Sequence, residues 1–245
     1  WAPIAWDERR QGQGPRTMPS GVKVHDGRVW VHGGLPSYDG LAIWDPGTKA
    51  WSAFEGTFQG RAVRGHAVTH GGGTIHDIAW NEATGDLYLV GASGLENPSH
   101  AVPRDIAPVI RVDRDGVYHP MGHDIGPEDA KKPVKRFQTI HVDTSQSPPA
   151  IYIGGTFNFN GPTPSRTRDQ VFNVAVWDPQ VKDWAPVGEG VEPRWVERDE
   201  FPKGYPGLPA RPTDFIGFLQ PQFPRVEDLL TDDAGNLYAA GTLAI

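Results

Sequence analysis

The chain has 245 residues, no cysteine and a formal net charge of −7. The lack of cysteine excludes disulfides, thiolate-bound zinc and a cysteine nucleophile. An acidic chain without a Lys/Arg run is unsuited to a nucleic-acid backbone as its main partner, so we predict none. Thirty Gly and 24 Pro residues are typical of short strands joined by tight turns. No apolar run approaches the roughly 18 residues that span a bilayer, so we also predict no membrane span. The first residue is Trp1 rather than Met, which indicates a processed or trimmed chain.

A hairpin signature recurs four times along the chain. Each copy has a polar turn and then an apolar–aromatic–apolar strand that stops at Gly, and a further short strand precedes each turn. The hairpins cover 25–34, 81–92, 143–156 and 232–242, with Trp30, Tyr88, Tyr152 and Tyr238 as aromatic anchors, and the preceding strands cover 22–24, 75–80, 137–142 and 226–230.

A second hairpin follows the Gly stop in the first three copies. Segments 41–51 and 174–184 share the sequence W-D-P-x-x-K-x-W. Asp at the first turn position and Pro at the second predict a type I turn. Segment 109–118 is a divergent copy, with Val112 and Tyr118 in place of the two Trp residues.

The second hairpin of the fourth copy is predicted to be divided between the two termini. This copy ends without one, whereas segment 3–7 (P-I-A-W-D) looks like an orphan strand of that hairpin. Four strands per unit with a displaced half unit is the arrangement of a β-propeller closed across its ends, with 3–7 beside 237–240. We therefore predict one all-β domain over 1–245, a propeller of four-stranded antiparallel blades with four repeat units. A closed four-blade ring and a fragment of a larger propeller both fit. A β-sandwich would have no reason to repeat W-D-P-x-x-K-x-W.

The clearest repeat, over 135–191, carries the pattern Y-x-G-G-T-F, then V-A-x-W-D, then W-x-P-V-G-x-G-V. This pattern resembles bacterial secreted propeller repeats related to the kelch and galactose-oxidase central domains. The resemblance implies a propeller fold, and such proteins include enzymes, adhesins and scaffolds. The copper-radical activity of galactose oxidase needs a cysteine crosslinked to a tyrosine, and this chain has no cysteine.

The long connections of the predicted blades all fall on one face. In a four-stranded blade, the second-to-third and the blade-to-blade connections emerge at the end opposite the short turns. Variable loops on a rigid scaffold are where function usually lies, so we place the binding face here. The long segments are 55–73, 92–108, 123–133, 156–173 and 189–225.

The sequence G-H-A-V-T-H-G-G-G-T-I-H-D on this face contains His66, His70 and His76. The four-residue spacing of His66 and His70 would suit a metal on a helix, but Gly71 to Gly73 disfavour a helix. We therefore favour histidines satisfied by backbone or water, and predict no cofactor. The sequence D-R-D-G at 113–116 resembles the start of a calcium loop but lacks the downstream Glu, so it is better interpreted as a hairpin turn.

Segment 192–225 combines seven prolines with six aromatic residues. Disordered linkers are poor in aromatic residues, so this segment is expected to pack on its own blades or on a partner. A lid, a docking surface for a protein and a stacking platform for sugars are all consistent with it. The candidate binding residues are Trp195, Tyr205, Phe215 and Phe218.

Together these patterns predict a non-catalytic scaffold that binds a protein partner or a glycan through the loop-rich face. We expect an extracellular or cell-surface location, with the periplasm as the alternative. The competing hypothesis is a metal-assisted hydrolase, lyase or oxidoreductase with its site at the channel mouth near His66, His70 and His76.

Overall fold

The computed structural model describes residues 19–35, 38–58, 60–64, 74–91, 109–122, 136–160, 170–187 and 225–242. These residues form sixteen β-strands and no α-helix, which confirms the all-β prediction. The strands are β1 (Pro19–His25), β2 (Arg28–Gly33), β3 (Leu41–Asp45), β4 (Ala50–Ala53), β5 (Glu55–Phe58), β6 (Arg61–Arg64), β7 (Ile75–Asn81), β8 (Asp86–Gly91), β9 (Val109–Val112), β10 (Tyr118–Met121), β11 (Arg136–Asp143), β12 (Ala150–Asn160), β13 (Gln170–Asp178), β14 (Asp183–Pro186), β15 (Arg225–Thr231) and β16 (Leu237–Thr242).

Three sheets repeat one arrangement. The first sheet is β1 to β4, the second is β7 to β10 and the third is β11 to β14, and in each the strands lie side by side in chain order. All pairs within them are antiparallel. The pair β15–β16 is a hairpin that matches the first half of such a sheet, and β5–β6 is a separate hairpin. Three of the four units predicted from the sequence are thus confirmed as four-stranded antiparallel sheets, and the fourth is described as a two-stranded hairpin.

The W-D-P-x-x-K-x-W segments form the outer hairpins β3–β4 and β13–β14. The Asp45 carboxylate accepts the Gly47 amide at 2.8 Å, and the Asp178 carboxylate accepts the Gln180 amide at 2.8 Å. These side chains mimic a backbone turn, which explains why Asp begins it. Across the turns, the ring centroids lie 5.5 Å apart for Trp44 with Trp51 and 5.3 Å apart for Trp177 with Trp184.

The D-R-D-G segment is a hairpin turn between β9 and β10, as predicted. The Asp113 carboxylate accepts the amides of Asp115 at 3.0 Å and Val117 at 2.9 Å. The same oxygen geometry recurs between β15 and β16, where Asp232 accepts the amide of Asn236 at 2.8 Å. Hydrogen bonds from the Asn236 side chain and backbone lower the pKa of Asp232 to about 2. The two carboxylates therefore serve turn geometry.

Apolar residues fill the spaces between successive sheets. Between the first and second sheets the core includes Trp30, Ile78 and Tyr118. Between the second and third sheets it includes Tyr88 and Trp184, and the Trp184 side chain is only 1% exposed. A smaller cluster of Val174, Val226 and Leu229 joins the third sheet to β15–β16. Alternate residues of one strand point to opposite faces, so a central sheet contributes to two cores.

Two connections that the sequence indicated as long loops are partly strand. Residues 55–58 and 61–64 form the hairpin β5–β6 within the segment 55–73. Residues 156–160 and 170–173 prolong β12 and β13 within the segment 156–173, with Phe159 paired to Val171. The alternation of polar and aromatic residues near 157–160 is compatible with a strand but was masked by the turn-rich sequence that follows it.

The first strand of each unit carries a β-bulge at the same place. We call β1, β7, β11 and β15 the inner strands. In each, the register shifts by one residue, and a Gly of the paired strand stands opposite the residue before the shift. At Gly91, a Cβ would overlap the Thr74 carbonyl oxygen, and at Gly241 it would overlap the Arg225 carbonyl oxygen. At these two positions, the Gly stop of the sequence repeat therefore reflects close backbone approach at the bulge. The Gly partners are Gly33, Gly91, Gly155 and Gly241.

Candidate functional site

All four inner strands contribute residues to the wall of a cavity of about 570 Å³. Strand β7 packs beside β1 and β11, and β11 packs beside β15. The lining residues of each inner strand lie close to the first residue of that strand. The volume falls within the range of small-molecule sites, about 300–1,000 Å³. The lining residues are Ser20, Gly21, Val22, Lys23, His32, His76, Asp77, Gln138, Thr139, Arg225, Glu227 and Asp228.

The bulges explain why this lining is dense in polar groups. Neighbouring residues of a regular strand point to opposite faces, but a bulge places two residues opposite one and turns the extra side chain. On every inner strand, the extra residue and the one after it both line the cavity. We call Ser20, His76, Gln138 and Glu227 the bulge residues. The residues that follow them are Gly21, Asp77, Thr139 and Asp228.

Asp77 is the most heavily hydrogen-bonded group of the cavity. Its Oδ2 accepts the Thr139 hydroxyl and the Ile140 amide, each at 3.0 Å, from the third sheet. Its Oδ1 accepts the Ile78 amide at 2.8 Å and lies 2.7 Å from the Lys23 ammonium of the first sheet. Lys23 also donates to the Ile78 carbonyl. Because its side chain is 15% exposed, this carboxylate acts as a largely buried link between three sheets.

His32 lies under the cavity wall beside Asp77. Its side chain is 3% exposed, and its Nδ1 is 3.4 Å from the Ile75 carbonyl oxygen. A carbonyl oxygen can only accept, so Nδ1 carries the proton. Burial lowers the pKa of His32 below its usual value, and the Asp77 carboxylate, whose Oδ1 is 3.8 Å from Nε2, opposes that shift. The imidazole is therefore neutral at neutral pH.

His76 is the one predicted histidine that the structure describes, and it lines the cavity. Its Nδ1 lies 2.7 Å from the Phe137 carbonyl oxygen of β11, so Nδ1 donates and a neutral ring carries its lone pair on Nε2. His66 and His70 lie outside the described residues. Within the described ranges, no three His, Asp or Glu side chains are grouped as a metal site would require. The His66, His70 and His76 site thus stays a prediction.

Four charged residues of the cavity wall form two ion pairs, and one further carboxylate, Asp228, lies outside these pairs. Lys23 pairs with Asp77 at 2.7 Å, and Arg225 Nε lies 3.3 Å from Glu227 Oε1. Arg225 also donates to the Gln138 amide oxygen at 2.9 Å, which joins β15 to β11. Asp228 completes the set of charged lining residues. Apart from the histidines, the charged residues of the described wall are two cations and three carboxylates, a formal net charge of −1.

The structure does not describe the other predicted binding residues. Trp195, Tyr205, Phe215 and Phe218 lie outside the described residues, so their role in binding also stays a prediction. Sequence reasoning missed Lys23, Asp77 and Arg225. A usable signal was present in the sequence. In all four inner strands, the polar bulge residue lies the same number of positions before the start of the hairpin that ends in Gly.

Comparison with protein-family models and with curated proteins gives no match for this chain. Within the described residues, no helix is long and apolar enough to cross a membrane.

Proposed function

We propose that the chain is a β-propeller scaffold that acts outside the cell or on its surface and binds a glycan through the cavity at its loop-rich end. The propeller is supported by three sheets of identical strand order and a half sheet, whose inner strands all line one cavity. Face-to-face packing of each sheet on the next supports the same arrangement.

The observation that carries the binding proposal is the cavity wall itself. It presents hydroxyl, imidazole, amide, ammonium, guanidinium and carboxylate groups within about 570 Å³. A concave site with convergent hydrogen-bonding groups suits a polar ligand of small dimensions. A sugar unit fits this chemistry better than a flat protein surface would, because a protein partner could insert only single side chains. A protein partner is the alternative that the sequence left open.

The experiment is a glycan array probed with the purified chain, followed by calorimetry on any glycan that binds. The proposal predicts binding to a defined set of glycans, and a loss of about tenfold in affinity when Gln138 is changed to Ala. The matched control is Gln180→Ala, at an exposed turn between β13 and β14. Absence of binding to any glycan would overturn the proposal, as would equal effects of the two substitutions.

His76 at the cavity keeps the metal-assisted enzyme as a second candidate. That function needs further ligands, for which His66 and His70 are the candidates, and it needs a metal retained by the purified chain. Metal analysis of the wild type and of a His76→Ala variant tests it. Stoichiometric metal that is lost in the variant would favour the enzyme, whereas equal trace metal in both would eliminate it.

A further inference from the structure

We propose that the sugar unit held in the cavity carries a protonated amino group, and that this ammonium binds the Asp228 carboxylate. The inference rests on the proposed function, because it names the ligand class of the same site. It starts from two equivalent carboxylates. Asp77 and Asp228 each follow the bulge of an inner strand, on β7 and β15 respectively.

The structure shows how a carboxylate at this position is satisfied. Asp77 accepts the amide of the next residue, Ile78, at 2.8 Å. It also contacts an ammonium, Lys23 Nζ, at 2.7 Å, and a hydroxyl, Thr139 Oγ1, at 3.0 Å. A carboxylate has about four lone-pair positions, and charged donors form its strongest bonds. The set at Asp77 is thus an ammonium, a hydroxyl and two amides.

Of this set, Asp228 has the local amide bond within the described residues. It accepts the amide of the next residue, Leu229, at 2.9 Å, as Asp77 does from Ile78. The titratable neighbour of Asp228 there is His141 of β11, whose pKa is lowered by burial and raised by the Asp228 charge, so that the imidazole brings no positive charge at neutral pH. The two cations of the cavity wall are engaged elsewhere, Lys23 with Asp77 and Arg225 with Glu227. Position 21, the equivalent of Thr139, is a Gly and supplies no hydroxyl. A ligand with an ammonium and an adjacent hydroxyl would give Asp228 the contacts that Asp77 has, and its charge would offset that of the Asp228 carboxylate.

The remaining wall favours an amino sugar over a lysine side chain. Val22 is the only apolar side chain among the described lining residues. The four-methylene stem of a lysine would therefore face polar groups, which leaves their hydrogen bonds unmade. A sugar ring presents hydroxyls to the same groups, and Ser20 and Gln138 can both donate to and accept from hydroxyls. An amino sugar in the cavity would thus make one charged contact, with Asp228, and several neutral hydrogen bonds with the rest of the wall.

The test is calorimetry with glucosamine, N-acetylglucosamine and glucose, which share a ring and differ at one carbon. Measured where the amine is protonated, glucosamine should bind about tenfold more tightly than the other two. Asp228→Asn should remove this preference while leaving the circular dichroism spectrum unchanged. Asp233→Asn removes the same charge from the exposed turn of the same hairpin and should preserve the preference.

Each alternative outcome has a distinct meaning. Equal binding of glucose and glucosamine, or equal effects of Asp228→Asn and Asp233→Asn, would overturn the ammonium site while array binding kept the glycan scaffold. Binding of Nα-acetyl-lysine amide as tightly as glucosamine would assign the site to a protein ligand and overturn the amino sugar. No binding of any probe or array glycan would overturn both proposals.

Discussion

The boundary between the second and third sheets differs sharply from one face of the first sheet and one face of the β15–β16 hairpin. At the boundary, Trp184 is 1% exposed, and its indole Nε1 donates to the Met121 carbonyl at 3.3 Å. On the two faces, which we together call the open side, Val24 is 73% exposed and Tyr238 is 54% exposed. The strands are of the same kind in both places. The difference lies in what covers them.

The register shows that the open side consists of two apolar sheet faces. Val22 and Val24 lie opposite Val31 and Val29, on the face of the first sheet that turns away from Lys23 and the second sheet. On the hairpin, Leu230 lies opposite Tyr238, on the face away from the buried Leu229. Each sheet of this chain is therefore patterned for neighbours on both faces. Exposed apolar faces of this kind are typical of surfaces that contact another segment or another molecule.

The largest expected effect on stability comes from deleting the segment that is predicted to cover the open side. We predicted that residues 3–7 lie beside 237–240, and residues 3–7 lie outside the described residues, so this stays a prediction. Deleting residues 1–8 should abolish cooperative thermal unfolding, because it would expose the edge of β16 and the apolar faces beside it. A chain that lacks only residues 1 and 2 is the control. If both chains melt like the wild type, the fragment of a larger propeller becomes the better interpretation.

The second largest effect is expected at the boundary between the second and third sheets. Trp184→Ala should lower the free energy of unfolding by about 3–5 kcal/mol, because it empties a buried site between two sheets. Trp177→Ala, on the same hairpin, should cost less, because Trp177 is only partly buried. Denaturant unfolding with unchanged slope measures both. Equal losses for the two variants would contradict the assignment of Trp184 to the boundary between sheets.

A smaller effect separates the two equivalent carboxylates. Asp77→Asn should destabilise the fold by about 1–3 kcal/mol, since it weakens the ion pair with Lys23 and gives the buried site a donor where it had only acceptors. Asp228→Asn should change stability by less than about 0.5 kcal/mol, because Asp228 is exposed. The comparison uses the same denaturant method. A greater loss at Asp228 would show that the open side is covered more tightly than the described contacts indicate.

The smallest effect is a pH dependence that arises at His32. Burial lowers the pKa of His32 from its usual 6.5, with Asp77, Lys23 and His76 as the charged or titratable neighbours. The unfolded chain therefore binds the proton first as the pH falls. Stability that is full above pH 6.5 is lost between that value and the lower pKa of the folded state. His32→Gln should flatten this slope, measured by denaturant unfolding from neutral to mildly acidic pH. An unchanged slope would mean that other groups, such as the partly buried His141, dominate.

Much of this architecture was predictable because its signals are local. Asp-Pro and Asp-Gly turns fix hairpins within a few residues, and the Gly stops mark the ends of the second strands. The Asp113 turn and the paired Trp residues followed from such signals. The bulges did not, since a bulge is a relation between two strands and leaves each strand's own sequence ordinary.

The site was harder to predict because its chemistry depends on distant contacts. Asp77 is bonded to residues 62 and 63 positions away, and Lys23 reaches a carbonyl 55 positions away. Nothing in the sequence distinguishes Asp77 from Asp228, which have the same local setting and different neighbours. The sequence groups His76 with His66 and His70 in one histidine-rich segment, whereas the structure places it in the wall through its bulge.

The most direct test of the cavity as the binding site is a histidine-detected NMR titration of the chain with a glycan identified on the array. The cavity wall contains His32 and His76, whereas His119 lies on the outer strand β10 beside Asp113. A ligand in the cavity should shift the imidazole signals of His32 and His76 in proportion to occupancy and leave that of His119 unchanged. Saturable binding that moves His119 alone, with both cavity histidines unaffected, would contradict it.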